Sequence, residues 1–287
     1  MSHYQWYPGH MTKARRMMEE NMKLIDLVIE VLDARIPFSS RNPDIDTLAE
    51  NKSRIILLNK SDLSDQDINK LWMDYYKEKN ILCIQINSRT QDGIRLINSM
   101  VIKACSDKIE RDKRKGIMNR PIRAMVVGIP NVGKSTFINS YAGKACAKTG
   151  NKPGVTKGKQ WIKLRDNIEL LDTPGILWPK FDNQIVGRNL AMIGSINDEI
   201  IDKGDLAFEV LKYIKQYYPQ KIAIRYQIDE DKEIVEMMDD IAKVRGCLKK
   251  GANTDYDKVA GIILDDFRSG RIGNITLERP KDVKKIK

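Results

Sequence analysis

Residues Gly128 to Ser135 read G-I-P-N-V-G-K-S, which fits the pattern G-x-x-x-x-G-K-[ST]. The glycines let backbone N–H groups close around an oxyanion, the lysine ammonium neutralises phosphoryl oxygens, and the serine hydroxyl can ligate a divalent cation. The chemistry on offer is polyphosphate binding by Asn131, Val132, Gly133, Lys134, Ser135 and Thr136. Asp172-Thr173-Pro174-Gly175 adds a carboxylate able to hold Mg²⁺ through water and a main-chain N–H, at Gly175, able to read a terminal phosphate. Alone, D-T-P-G is an ordinary turn. Between the two motifs, Pro153-Gly154-Val155-Thr156 offers a hydroxyl in a Gly-bounded loop, where a nucleotide hydrolase needs a metal ligand that lets go after reaction. The expected Mg²⁺ ligands are therefore Ser135, Thr156 and Asp172.

A second group reads the base. Asn59-Lys60-Ser61-Asp62 stands at the C-terminal end of an apolar run, where open α/β sheets bind their ligands. Asp62 can accept hydrogen bonds from guanine N1–H and N2–H₂ together, whereas adenine would leave that carboxylate unpaired. GTP and GDP are thus the expected ligands. Asn87-Ser88, at another strand end, is a weaker candidate for the guanine oxygen. The order is unusual, because base recognition precedes the phosphate loop and D-x-x-G instead of following them. A circular permutation produces this order and leaves the site intact when the old termini were adjacent and the new ones open at the surface.

The elements that must position these residues are legible as runs. Leu27 to Asp33, Arg54 to Asn59, Ile81 to Asn87 and Ile122 to Gly128 are apolar, β-branched and bounded by polar turns, as buried parallel strands are. Helical stretches are predicted over Ser64 to Lys79 and Ile94 to Lys113, and a hairpin over Gln160 to Leu164 and Ile168 to Asp172. The predicted fold is α/β, a doubly wound and mostly parallel sheet of P-loop GTPase type in permuted order over residues 1–182. Residues 183–287 read as a small all-helical domain, with helices over Asp205 to Tyr217, Glu230 to Arg245 and Thr254 to Ser269. Thr254 and Asp257 have capping-box spacing, and Lys281 onward reads as a frayed basic tail.

Composition sets the class. With 41% hydrophobic and 31% charged residues among 287, the chain is globular and not disordered. Its apolar runs are too short to span a membrane, its first ten residues are too polar for a signal peptide, and its four cysteines show no C-x-x-C pair. A cytoplasmic location without membrane contact is expected. The net charge of +11 is concentrated in the first part, where residues 1–182 hold 31 basic against 21 acidic side chains. Two basic clusters, Lys103 to Arg123 and Gly143 to Arg165, point to a polyphosphate partner such as RNA, although a single such cluster is more often a solvated face.

Trp6-Tyr7-Pro8-Gly9-His10-Met11, Asp33-Ala34-Arg35-Ile36-Pro37, Asn59-Lys60-Ser61-Asp62, the phosphate loop, Asp172-Thr-Pro-Gly, Lys249-Lys250-Gly251 and Asp266-Phe267-Arg268-Ser269-Gly270 together resemble the RbgA (YlqF) family of ribosome-biogenesis GTPases. The resemblance covers nearly the whole chain. It implies a GTP hydrolase that assists assembly of the large ribosomal subunit, binding rRNA and ribosomal proteins and stimulated by the particle. The residue after D-T-P-G is Ile176, which cannot orient the attacking water as a glutamine does. In the family a histidine near the N-terminus is implied as the replacement, and it maps onto His10. Asn131 resembles the asparagine that holds K⁺ in potassium-stimulated GTPases. Lys249, Lys250, Arg268 and Arg271 are the expected RNA or ribosome contacts. Asp33-Ala34-Arg35 reads as a structural ion pair, and a passive RNA-binding scaffold remains the rival to a GTP-driven timer.

Overall fold

The structure is a computed structural model that describes residues 9–118, 120–147, 160–164, 166–178, 181, 183–197 and 202–286. Thr156 and the rest of its loop lie outside the described residues. His10 falls within the first helix, but its side chain also lies outside them.

Helix α1 (Gly9–Met22) leads into β1 (Leu27–Asp33), every residue of which is buried. A strand with no polar face can only be central. Accordingly β1 pairs in parallel with β2 (Ser53–Asn59) on one side and β4 (Ile122–Val127) on the other. β3 (Leu82–Gln85) extends the sheet beyond β2, and β6 (Ile168–Asp172) lies beside β4. β5 (Gln160–Lys163) forms the antiparallel hairpin with β6, which gives the order β3-β2-β1-β4-β6-β5 among the described residues. Parallel pairing in register brings Asp33 opposite Asn59 and Val126 opposite Asp172, so the ligand-bearing loops leave the same edge of the sheet.

Helices α2 (Asp44–Leu48), α3 (Gln66–Glu78), α4 (Ile97–Ala104), α5 (Ser106–Arg114) and α6 (Lys134–Ala142) make the connections. The stretch predicted as one helix from 94 to 113 is broken at the buried Cys105. Ile97 and Val101 hold α4 on the sheet, whereas the α5 sequence SDKIERDKR has no apolar stripe to continue that contact, so the axis turns.

Helices α7 (Gln184–Met192), α8 (Lys203–Tyr217), α9 (Lys221–Tyr226), α10 (Ile234–Arg245) and α11 (Tyr256–Arg268) follow the sheet. The cap of α11 differs from expectation. Asp255 is the N-cap and its carboxylate accepts from Lys258 N, while Thr254 donates to Asp239 across to α10. Nor does the chain fray at Lys281: Pro280–Asp282 forms a 3-10 turn that continues into α12 (Val283–Ile286), and Val283 is buried beside Trp72 and Tyr76.

The segment from Ile275 to Glu278 straps back over the loops after β1 and β2. Leu277 N donates to Arg35 O, Ile275 N to Leu63 O, and Trp72 Nε1 to Glu278 O. The buried Glu278 carboxylate accepts from Phe38 N, Ser39 N, Ser39 Oγ and Asn189 Nδ2. Burial raises its pKa while these donors pull it down. Among the described residues, the main apolar core runs from Met18 in α1 through the sheet to Leu277, and a second, smaller one gathers Leu32, Ile56, Leu58, Trp72, Tyr76 and Val283.

Candidate nucleotide-binding site

Lys134 opens α6 directly after Gly133, so the helix N-terminus presents its free N–H groups where the phosphate loop ends. Gly133 has φ +92°, and a methyl group there would lie 2.4 Å from Asn59 Nδ2, so only glycine fits. Lys134 is 7% exposed and its ammonium donates to Ile129 O at 3.2 Å. Burial lowers its pKa to about 8, although Asp172 pulls it up. Asp172, 1% exposed at the end of β6, is pushed up to about 6 by burial against the pull of Lys134. Burial disfavours the charged form of both groups despite their mutual attraction, and a polyphosphate with a divalent cation would favour it in each.

The residues fit Mg²⁺. Asp172 Oδ1 is buried with no hydrogen-bond partner among the described residues, and Ser135, half-buried, carries its hydroxyl on the first turn of α6. Thr173 Oγ1 donates to Val126 O at 2.7 Å and so fixes the turn after Asp172. Gly175 comes so close to the phosphate loop that a methyl group on it would lie 2.8 Å from Lys134 Nζ and 2.9 Å from Pro130 N. The D-T-P-G turn and the phosphate loop are therefore in van der Waals contact. Ile176, next after the turn, is buried in the core.

The base-recognition residues are tied to the same place. Asn59 Nδ2 donates to Val132 O at 2.8 Å, and its Oδ1 accepts from Ser88 N and Ser88 Oγ at 3.0 and 2.8 Å. Asn87 Oδ1 accepts from Arg89 N and Thr90 N, closing its own turn. The Asn87 Oδ1 and Ser88 Oγ atoms thus shape the loop and hold Asn59. Ser61 is buried, Thr136 half-buried and Asp62 exposed at the start of a one-turn 3-10 helix, Ser61–Leu63.

Lys60 has φ +59°, a conformation that a lysine adopts only where its surroundings impose it. Its ammonium donates to Asn131 O at 2.6 Å and lies 3.0 Å from Asp33 Oδ2. Burial pushes the ammonium pKa down while Asp33 pulls it up. Burial alone would raise the Asp33 carboxyl, but Arg35 and Lys60 hold it well below the usual carboxylate range. The Asp33–Arg35 ion pair expected from sequence is present, with bonds of 2.9 and 2.8 Å. The hand it lends to Lys60 had no signal in the sequence.

Asn131 Nδ2, expected beside a cation, donates to Gly194 O at 2.6 Å, and Ser195 Oγ donates to Pro130 O at 2.7 Å. Arg268, expected on an RNA-facing surface, is half-buried and donates to Met192 O and Ala191 O at 3.0 and 2.8 Å. Lys249 and Lys250 are exposed, with Lys249 3.6 Å from Asp255. Arg271 pairs with Asp266, a buried carboxylate that Arg225 also contacts at 2.8 Å. Of the four, Arg268 commits its guanidinium to backbone carbonyls, whereas Lys249 and Lys250 stand at the surface.

Comparison with known proteins agrees with this geometry. A family model described as 50S ribosome-binding GTPase matches residues 123–243. Ribosome biogenesis GTPase A of Bacillus cereus is 48% identical over 279 residues, covering 97% of this chain and 94% of its own. The protein of that name from Thermotoga maritima is 32% identical over 281 residues, covering 97% and 95%. The crystal structure of GNP-bound YlqF from T. maritima superposes with a TM-score of 0.68 at 28% identity, covering 94% and 99% of the two chains. The GDP-bound structure of TM YlqF gives 0.69 at 28% identity over 93% and 100%. GTPases of this kind use Mg²⁺. Among the described residues no helix is long and apolar enough to cross a membrane. The chain folds as a circularly permuted P-loop GTPase, binds guanine nucleotide, hydrolyses GTP, and belongs to the ribosome biogenesis GTPase A family.

Proposed function

We propose that this protein is a timer in maturation of the large ribosomal subunit. Its Mg·GTP form binds the pre-ribosomal particle through rRNA and ribosomal proteins, and hydrolysis stimulated by the particle releases it in the cytoplasm. Residues 1–182 carry the nucleotide and residues 183–287 meet the particle. Asn59, Lys60, Ser61 and Asp62 define the guanine pocket, with Asn87 and Ser88 backing it. Residues 131–136 and Gly175 hold the phosphates, Ser135, Thr156 and Asp172 hold Mg²⁺, and His10 acts on the attacking water. Asn131 also belongs to a K⁺ site that opens when its bond to Gly194 is exchanged for the cation.

The observation that carries this reading is the direct contact of the helical part with the phosphate loop, Asn131 to Gly194 and Pro130 to Ser195. Whatever γ-phosphate does to that loop is felt one residue away by the helical part. The family model described as ribosome-binding supports the partner. Co-sedimentation with free large and small subunits, in GDP and in a non-hydrolysable GTP analogue, is the test. Binding to the large subunit that is tighter with the analogue is the expected result. Equal binding in both nucleotide states, with turnover that subunits leave unchanged, leaves the passive scaffold as the better reading.

A further inference from the structure

The two nucleotide loops and the helical part are joined in a closed ring of polar contacts. Starting from Asn131, its main-chain oxygen accepts from Lys60 Nζ at 2.6 Å. Lys60 Nζ lies 3.0 Å from Asp33 Oδ2, and that carboxylate is gripped by Arg35 through Nε and Nη2. Arg35 Nη1 donates to Arg268 O at 3.1 Å, and its guanidinium lies 5.5 Å from the centre of the Phe267 ring. The Arg268 side chain holds the carbonyls of Ala191 and Met192. Two residues further on, Gly194 O accepts from Asn131 Nδ2 and closes the circuit.

We propose that Asp33 and Arg35 are positioning residues of the nucleotide site, holding Lys60 against the phosphate loop, and that through them guanine-nucleotide affinity depends on Arg268 being seated in the helical part. This rests on the assignment of residues 59–62 and 128–135 as the nucleotide loops.

Three properties of the ring support it. Asp33 and Arg35 are 0% and 1% exposed, so neither guanidinium nor carboxylate has solvent as a substitute partner, and loss of one link leaves a buried charge uncompensated. Lys60 is a flexible side chain whose backbone is held at positive φ, and a lysine arrested in this way meets a ligand without a further loss of rotamer freedom. Arg268 supplies the main-chain oxygen that orients Arg35 and, with its side chain, the donors that fix 191–192 just ahead of Gly194, so it touches both arms of the circuit. Any bias that nucleotide places on Lys60 or Asn131 is returned to α11 and the 191–195 turn, and by linkage any force on those segments alters nucleotide affinity.

The test uses the full chain and a fluorescent GDP derivative. Arg268→Ala and Asn131→Ala are each expected to speed GDP dissociation about three- to tenfold. Because both cut the same ring, the double variant should dissociate little faster than the worse single one, whereas two independent structural defects would multiply. In the wild type, GDP should slow amide hydrogen exchange at 191–195 and 268–271 as well as in the nucleotide loops. Arg268→Ala should lose the distant protection while keeping the loop protection, and should retain the far-ultraviolet circular dichroism of the wild type. Multiplicative rates, or a wild type whose 191–195 and 268–271 amides ignore GDP, overturn the coupling while leaving the nucleotide site in place. Should Arg268→Ala fail to fold, the wild-type exchange pattern decides alone. A wild type that binds no GDP overturns the site assignment and the coupling with it.

Discussion

The ammonium of Lys60 lies 2.6 Å from the main-chain oxygen of Asn131, across 71 residues of chain. Base recognition comes first in this sequence and phosphate binding second, yet the two loops touch. Permutation has changed the order in which the loops are made and left their contact intact, because a contact between strand ends depends on sheet position and not on chain direction. A nucleotide entering between loops already joined meets a site with less left to order.

Asp62→Asn exchanges the acceptor proposed to pair with guanine N1–H and N2–H₂ for an amide that presents a donor. Loss of a charged hydrogen-bond acceptor is expected to weaken GDP binding by about 10- to 100-fold. Competition of bound GDP with ATP, GTP and xanthosine triphosphate measures it. The wild type should ignore ATP, and the variant should gain for the 2-oxo base what it loses for the 2-amino base.

His10→Ala should lower single-turnover GTP hydrolysis in the presence of large subunits by about 100-fold, with the affinity for GTP within twofold of the wild type. A group that acts on the water leaves ground-state nucleotide binding alone. An unchanged rate assigns His10 to the first helix and nothing more.

Asp172 should make Mg²⁺ affinity depend on pH. Its carboxyl sits at about 6 before a cation arrives, raised by burial, and metal binding needs the ionised form. Affinity is therefore expected to be flat above about pH 7 and to fall up to about tenfold per unit below 6. Titration of Mg²⁺ into the GDP complex at pH 5 and pH 7.5 shows it. Asp172→Asn should bind Mg²⁺ weakly at both values and lose the slope.

Asp33→Asn should cost about 3–5 kcal/mol of stability, because it leaves Arg35 and Lys60 with a neutral partner in a buried position. Urea unfolding at pH 7 reads this. The sign with pH follows from a folded carboxyl held below its ordinary value of 3.8. The stabilisation is complete above about pH 4–5 and is lost only as pH falls toward the folded value, so wild type and variant should converge in strong acid and differ by a constant amount near neutrality.

Lys249→Ala with Lys250→Ala should weaken binding to the large subunit and reduce the slope of log K against log salt by about two units, one for each phosphate that a lysine no longer neutralises. The two lysines are exposed, so the protein's own melting temperature should stay put. An unchanged slope places the particle's contact elsewhere on the helical part, with the Arg225–Asp266–Arg271 cluster next in line.

What could be read from the sequence was what depends on neighbours along the chain. Leu27 to Asp33 declares itself a buried strand because no residue but Glu30 interrupts its apolar run before the turn, and the phosphate loop declares itself because its backbone chemistry needs glycines at fixed offsets. What stayed hidden were bonds between residues far apart in sequence and near in space. Arg268 looked like surface charge on a basic motif, but its main-chain oxygen meets Arg35 across 233 residues. Nor did the sequence show that Asn87 Oδ1 closes its own turn by accepting from Arg89 N. Thr254 looked like a cap and was displaced by Asp255, one residue on, because α10 offers it Asp239.

The strap carried by Glu278 bears on how the protein is made. Its carboxylate meets Phe38 N across 240 residues, and the strap's amides close onto Leu63 and Arg35, behind the base-recognition loop. Contacts of such sequence separation form late, since most of the chain must be in place before they repay the closure. During synthesis from the N-terminus, the nascent polypeptide emerges with its guanine-reading loop first and the backing of that loop last. The bonds from Ile275 and Leu277 to Leu63 and Arg35 therefore cannot form until that segment has been made, so the loop that opens the series of nucleotide motifs is among the last to gain its backing.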